Sequence, residues 1–192
     1  LTADDVPREV RDLCRTLWDA GHAAYVVGGS LRDLLLGRAP RDWDLTTDAH
    51  PDQIQALFPG SIYENRFGTV AVRRDGAEYE ITTFRREHEY ADHRRPHRME
   101  FGDSIEEDLA RRDFTVNAMA WGADPRTGGT AAPEPTPALV DPFGGAADVR
   151  ARLLRAVGDP HLRFEEDALR MVRAVRLAAT LGFTIEPATL AA

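Results

Sequence analysis

The sequence contains no lysine, and all 24 of its basic side chains are arginine. Arginine suits bidentate phosphate and base contacts, although a GC-rich genome favours it too. Basic excess is also missing. Thirty-two carboxylates bring the formal charge to −8, so nothing in the total charge advertises nucleic acid. A local basic groove remains compatible with an RNA partner. Cysteine is nearly absent: Cys14 stands alone, which excludes an internal disulfide framework and a cysteine zinc site. There is no apolar run of 18 residues and no signal-peptide pattern, so a soluble, cytoplasmic protein without membrane contact is expected. What remains is a chain of 192 residues, 43% apolar, enough for one large domain or one domain plus part of another.

The richest stretch runs from Tyr25 to Thr46. A strand, Tyr25 to Val27, meets Gly28, Gly29 and Ser30, and a short apolar helix follows over Leu31 to Leu36. After a Gly/Pro break, a second strand carries Asp42 and Asp44. Residues two apart on a strand project to one side, so both carboxylates can aim at one point. Paired hard oxygen ligands suit Mg²⁺, which takes one or two carboxylates plus substrate phosphates. A Gly-Gly-Ser turn before a helix lets backbone N–H groups approach phosphate closely. Asp-x-Asp alone is usually solvated surface, and Gly-Gly after a strand is usually a plain turn. Together, in this order and about a dozen residues apart, they suggest nucleotidyl transfer.

Around this centre the patterns predict a helix over 5–20, another from Pro51 to Phe58, and strands over 61–63, 69–73 and 78–83. Asp75-Gly76 is a hairpin signal between the last two. Glu80 points to the opposite face from Tyr79 and Ile81. It can complete a three-carboxylate site if its strand lies beside Asp42 and Asp44, with Glu78 as the rival on the same face. Residues 85–101 read as a polar loop whose three histidines are too loosely placed for a metal site. Ser104 followed by Glu107 predicts a helix start near 105, and residues 124–138 form a Pro/Gly/Thr-rich loop. A strand is expected over 153–157. Asp159-Pro160 predicts a helix start, and one helix is expected from Phe164 to Leu181, ended by Gly182. Its spacing sets Asp167 and Arg170 on one face, with Arg173 and Arg176 continuing the stripe. A row of surface ion pairs is the plain alternative.

Four motifs in order carry a family resemblance. Gly28-Gly29-x-x-Arg32-Asp33-x-Leu35-Leu36 with Asp42-x-Asp44 resembles the polymerase β-like superfamily, and more closely the class II tRNA nucleotidyltransferases and bacterial poly(A) polymerases. Arg111-Arg112-Asp113-Phe114-Thr115-Val116-Asn117 is similar to their second motif. Leu139 to Asp148 resembles the third, a turn treated as a hinge, with Asp148 capping or bracing the next helix. Glu166-Asp167-x-x-Arg170 resembles the fourth, whose Asp and Arg read the base edge. Val175-Arg176-Leu177 departs from the usual Arg-Phe pair, a packing change. Tyr90 to Pro96 resembles the intact flexible loop that helps such enzymes change from CTP to ATP. The 124–138 stretch looks like a local insertion.

The resemblance implies an α+β fold: a polymerase β-like nucleotidyltransferase head of mixed sheet and flanking helices over 1–145, then the beginning of a helical neck over 146–192. Body and tail domains are absent, so the chain is expected to be the catalytic part of a longer protein. The implied chemistry adds CCA to the 3′ end of tRNA from CTP and ATP, releasing pyrophosphate. Two Mg²⁺ ions would be held by Asp42, Asp44 and Glu80; the family's acidic residue before Thr-Thr-Phe-Arg favours Glu80 over Glu78. Gly28, Gly29, Ser30, Arg32 and Arg112 would hold the triphosphate, and Asn117 a sugar hydroxyl or phosphate. Asp167 and Arg170 would select the base, and Arg173 and Arg176 would face the triphosphate. The alternatives are an A-adding enzyme working beside a separate CC-adding enzyme, a poly(A) polymerase, a non-catalytic RNA-binding descendant, or a small-molecule nucleotidyltransferase. The last lacks the second and fourth motifs.

Overall fold

The computed structural model describes residues 1–64, 68–86, 100–127 and 135–192, with backbone alone at 86 and 100. After a 3₁₀ turn at Ala3–Asp5, the strands are β1 (Ala24–Val27), β2 (Asp44–Thr47), β3 (Ile62–Tyr63), β4 (Thr69–Arg74), β5 (Ala77–Thr83), β6 (Arg85–Arg86), β7 (Glu100–Phe101), β8 (Ala120–Ala123), β9 (Ala138–Val140), β10 (Leu153–Leu154) and β11 (Thr184–Ile185). The helices are α1 (Arg8–Asp19), α2 (Gly29–Leu35), α3 (Pro51–Leu57), α4 (Ile105–Ala110), α5 (Gly145–Ala151), α6 (Pro160–Glu166), α7 (Leu169–Leu181) and α8 (Pro187–Ala191). Seven strands form one sheet in the order β3-β4-β5-β2-β1-β8-β9. Its neighbours are antiparallel except β2 and β5, which run parallel. The fold is α+β, a mixed sheet with flanking helices.

Strand alternation divides the sheet into two faces. Val26, Leu45, Val70, Ile81 and Trp121 point to one, where Val10, Leu13, Cys14 and Leu17 of α1 and Ile54 of α3 cover them. Burying each such Val, Leu or Ile contributes about 1.5–3 kcal/mol. Trp18 fixes α1 on the sheet, because its indole N–H donates to the carbonyls of Ala24 (3.1 Å) and Ala123 (3.0 Å). Burial pushes the Cys14 thiol up to about 12, so it serves as packing and not as a nucleophile. The other face carries Tyr25, Val27 and Ala120 under Phe84, Ile105 and Leu109. That cover is partial, and the uncovered part of this face becomes a cleft. The first core continues into Val149, Leu154, Phe164, Ala174, Leu181 and Phe183, so the C-terminal helices share it.

Four expectations need correction. The polar loop expected over 85–101 begins and ends in strands, β6 and β7, which pair antiparallel. The second strand starts at Asp44, level with the end of β1 at Val27, and residue 42 lies before it, outside the ladder with β1 and with β5. The two carboxylates therefore do not lie on one strand. The helix expected from Phe164 to Leu181 is two helices, broken at Asp167 and Ala168. Asp167 is extended (φ −155°, ψ 104°), and its carboxylate accepts the Leu169 N–H at 2.9 Å. Asp competes for nearby backbone donors in this way, which favours a cap over a helix interior. The strand expected over 153–157 is β10 alone, followed by an isolated bridge between Ala156 and Phe114.

Elsewhere the turn chemistry holds. Asp75 and Gly76 both take positive φ (52° and 79°) in the β4–β5 hairpin, the I′-type pattern. Ser104 accepts the Glu106 and Glu107 N–H groups, and Asp159 accepts that of His161. Asp148 braces and does not cap: buried within α5, it accepts from Thr115 (2.7 Å) and Arg155 (3.1 Å). The cap of α5 comes from Asp141, whose carboxylate takes the Gly145 and Ala146 N–H groups.

Candidate active site

The partly covered face holds Asp44, Thr46, Glu80 and Thr82, each on the opposite side from Leu45 and Ile81. The parallel register sets Asp44 beside Glu80, on strands about 4.8 Å apart. Glu78, the rival, lies towards the hairpin turn and pairs with Arg73 at 2.8 Å. Asp42 stands outside the strand, near enough to act electrostatically on both other carboxylates. Burial raises the Asp44 carboxyl above its usual range, although part of the side chain still meets solvent; Arg112 opposes the shift and Asp42 adds to it. Glu80 is raised by burial, then by Asp44, Glu64, Glu78 and Asp42.

Among the described residues, none of Asp42, Asp44 and Glu80 makes an ion pair, and no three His, Cys, Asp or Glu side chains converge tightly enough to hold a metal ion. The chemistry of the donor set nevertheless fits a divalent cation. These are hard oxygen ligands that repel one another, and Mg²⁺ needs only one or two of them with substrate phosphates.

Above the carboxylates lies a cleft of about 590 Å³. Its walls carry Arg32, Arg85, Arg111, Arg112, Arg170, Arg173 and Arg176 against five carboxylates. Three of these arginines share one fully buried carboxylate, Asp108. It accepts from Arg111 (3.0 and 3.1 Å) and Arg112 (3.2 Å), and from the Arg85 backbone N–H. Burial pushes the Asp108 carboxyl up, but attraction and hydrogen bonds from Arg111 and Arg112 outweigh it and hold the group below its usual value. Burial, then repulsion from Arg111, pushes Arg85 down to about 10, still charged at neutral pH. Among the described residues, the Nε atoms of Arg85 and Arg112 are buried without a hydrogen-bond partner, so this wall holds more donors than its described acceptors satisfy.

Gly28 and Gly29 shape the floor. Gly28 has φ 79°, and a Cβ there would meet Arg112 Nη1 at 3.1 Å; at Gly29 it would meet Arg32 Nη2 at 3.3 Å. The missing side chains let two guanidinium groups lie against the turn. Ser30 turns its hydroxyl to the Val27 carbonyl at 3.2 Å and faces away from the cleft, into a second cavity. Asn117 accepts from Arg32 Nη1 at 2.7 Å, while Asp33 accepts from the other side of the same guanidinium at 2.8 and 2.9 Å.

Of the other expected residues, Asp167 lines the cleft from outside the helix, and Arg170, Arg173 and Arg176 line it from successive turns of α7. Arg170 pairs with Glu166 and bonds the Arg163 and Arg111 carbonyls. Arg173 pairs with Asp113. Asp42 lines the second cavity instead. Tyr90 to Pro96 lies outside the described residues, as does 128–134 of the expected insertion. Asp108, Arg85 and the threonine floor went unread in the sequence, and Arg111 was placed in the second motif without a role. The spacing Asp108, Arg111, Arg112 was a usable signal, since residues three and four apart meet on a helix.

Residues 24–155 match the family described as the poly A polymerase head domain. The CCA-adding enzyme of Levilactobacillus brevis is 49% identical over 183 residues, 95% of this chain and 43% of its own length. That of Bacillus subtilis is 46% identical over 176 residues, 91% of this chain and 41% of its own. The crystal structure of the Bacillus stearothermophilus CCA-adding enzyme in complex with CTP superposes with a TM-score of 0.79 at 42% identity, over 95% of this chain and 41% of that one. The chain thus spans about two fifths of the length of its relatives. With the head-domain match covering the seven-stranded sheet, the three carboxylates and Arg32, Arg85, Arg111 and Arg112 of the wall, the chain belongs to the poly A polymerase head-domain family.

Proposed function

We propose that this chain is the catalytic part of a CCA-adding enzyme, which transfers CMP and AMP from CTP and ATP to the 3′ end of tRNA with release of pyrophosphate. The observation that carries this reading is one cleft with Asp44 and Glu80 in register on its floor and seven arginines in its walls. It stands in a chain 42% identical to a CCA-adding enzyme solved with CTP. We divide the chain into a head, 1–145, and the start of a neck, 146–192, at the turn where Gly144 takes φ 71°.

Arg112, Arg111 and Arg32 bind the triphosphate, and the Gly28–Gly29 turn admits it closely. Arg173 and Arg176 extend this bed along α7. Asn117 fixes Arg32 and hydrogen-bonds the sugar. Asp167 and Arg170 offer an acceptor and a donor to the base edge, a pattern that suits cytosine and adenine but not uracil and guanine. Asp42, Asp44 and Glu80 hold the divalent cations, Mg²⁺. When bound, these ions lower the pKa of the RNA 3′-hydroxyl and neutralise charge on the leaving group. As the hydroxyl oxygen bonds the α-phosphorus it gives its proton to solvent, the bond from that phosphorus to the bridging oxygen breaks, and pyrophosphate leaves into the arginine bed. We assign the reaction to the cytoplasm.

The test supplies the full-length protein with Mg²⁺ and tRNA ending before CCA, after one C, or after CC, each with CTP, ATP or both. CCA addition to the shortest RNA is expected. A single A added only to the CC-ended RNA means an A-adding enzyme, and a long A tail means a poly(A) polymerase. No incorporation on any RNA overturns the reading.

A further inference from the structure

Arg85 alone among the seven arginines of the cleft has no part in the scheme above. Its backbone is fixed. The Phe84 N–H donates to the Thr47 carbonyl (2.7 Å), the Arg85 N–H to Asp108 (3.2 Å), and the Gly102 N–H to the Phe84 carbonyl (2.8 Å). Its side chain lines the cleft, half-buried. Among the described residues that side chain makes no ion pair and no hydrogen bond, and its buried Nε has no acceptor. The acids of the cleft are engaged elsewhere. Asp108 accepts from the side chains of Arg111 and Arg112, Asp113 from Arg173, and Asp167 caps α7. Asp44 and Glu80 stand together at the reacting centre. A half-buried cation crowded by two like charges works against the ligand-free fold. Held on a fixed backbone and facing a cleft, it suits an anion that the chain itself does not supply.

The order of the guanidinium groups narrows the choice of anion. Arg112 lies against Gly28 and acts on Asp44. Arg111 shares the Asp108 carboxylate with it. Arg85 comes next: after burial, the strongest influence lowering its pKa is Arg111, ahead of Arg112. The wall therefore leads away from the metal-binding carboxylates in the order Arg112, Arg111, Arg85. A nucleotide whose α-phosphate meets those carboxylates lays its β- and γ-phosphates along this row. Resting on the nucleotidyl-transfer reading, we propose that Arg85 binds the terminal phosphate of the incoming nucleoside triphosphate and so makes the site prefer a triphosphate over a diphosphate. A terminal phosphate presents three acceptor oxygens, and a guanidinium can hold two of them at once.

The experiment compares the full-length protein with its Arg85→Met variant. Calorimetric titration in Mg²⁺ measures the Kd of CTP, CDP and CMP, fluorescence anisotropy that of tRNA ending in CC, and urea unfolding the stability without ligand. We expect the Kd of CTP to rise about tenfold and those of CDP, CMP and tRNA to stay within about twofold. The ligand-free variant should be at least as stable as the unmodified protein, because a crowded charge is gone. Arg85→Lys keeps the charge and should recover part of the CTP affinity. If Arg85→Met does not fold, Arg85→Gln takes its place with the same expectations. An unchanged Kd for CTP overturns the proposal. So does an equal loss for CTP, CDP and CMP, which marks a structural cation. Weakened tRNA binding with unchanged CTP also overturns it and marks an RNA phosphate instead. The binding comparison needs no turnover. An unmodified protein that binds CTP yet incorporates no nucleotide sinks the proposed function alone, and one that fails to bind CTP sinks both.

Discussion

Asp113 and Arg173, 60 residues apart, meet through two contacts of 2.6 and 2.7 Å. The same carboxylate accepts the Phe114 N–H at 2.8 Å and the Asn117 amide at 3.4 Å, and Asn117 in turn holds Arg32. One buried acid therefore ties α7 to the second motif and, through Asn117, to the glycine turn. Asp113→Ala removes four bonds at once. Because Arg173 is half exposed, the loss is discounted for solvent screening to roughly 2–3 kcal/mol, mostly from the orphaned buried donors. Asp113→Asn keeps an acceptor and should lose less. Urea unfolding of both variants checks the order.

Asp108 supplies the pH prediction. Its folded pKa lies below that of the unfolded chain, so its contribution is present above about pH 3.9 and is lost as pH falls through the lower folded value. Asp108→Asn should destabilise by about 3–5 kcal/mol at neutral pH, because it leaves Arg85, Arg111 and Arg112 crowded without their anion. The gap to the unmodified protein should close in acid. Unfolding followed from pH 7 downward through the acid range measures the closing of the gap.

Asp44 and Glu80 should show the reverse trade. Their carboxyls are raised, so their charge works against the metal-free fold at neutral pH. Asp44→Asn should abolish nucleotide transfer, yet raise the stability of the metal-free protein by roughly 0.5–1 kcal/mol. Calorimetry in EDTA beside a transfer assay reads the two effects. A large loss of stability in EDTA would mean that Asp44 is a structural group.

Gly28→Ala tests the floor. A side chain at φ 79° is strained, by roughly 1–2 kcal/mol, and the new methyl presses on Arg112. Stability should fall by about that amount, and KM for CTP should rise several-fold. Gly37 also has positive φ (69°) with open space around it. Gly37→Ala should cost no more stability than Gly28→Ala and leave the KM unchanged.

Much of this was legible in the sequence. Two-residue periodicity set Leu45 and Ile81 against Asp44 and Glu80, and single turn residues such as Ser104, Asp159 and Asp75-Gly76 act within a few positions of themselves. What failed depended on neighbours. Asp42 falls outside β2 because the ladder starts at Asp44, where β1 ends at Val27, and the helix breaks at Asp167 because a cap competes with helical spacing that looks unbroken. Asp108 looks like any acidic residue in a first helical turn until the fold buries it under two arginines. The arginine wall gathers side chains from Arg32 to Arg176, and no spacing rule reaches that far.

That spread has a consequence for the order of assembly. Strands β2 and β5 pair across only 36 residues, so the Asp44–Glu80 ladder can close once the first 83 residues exist. The Trp18 bonds to Ala24 and Ala123 reach across as much as 105 residues, and Arg173 follows later still. Distant contacts form slowly, and a chain emerging from the ribosome presents its N-terminal part first. During synthesis the carboxylate ladder can therefore form before the arginine bed that would receive the nucleotide exists. Nucleotide binding should mature last and report on completed folding.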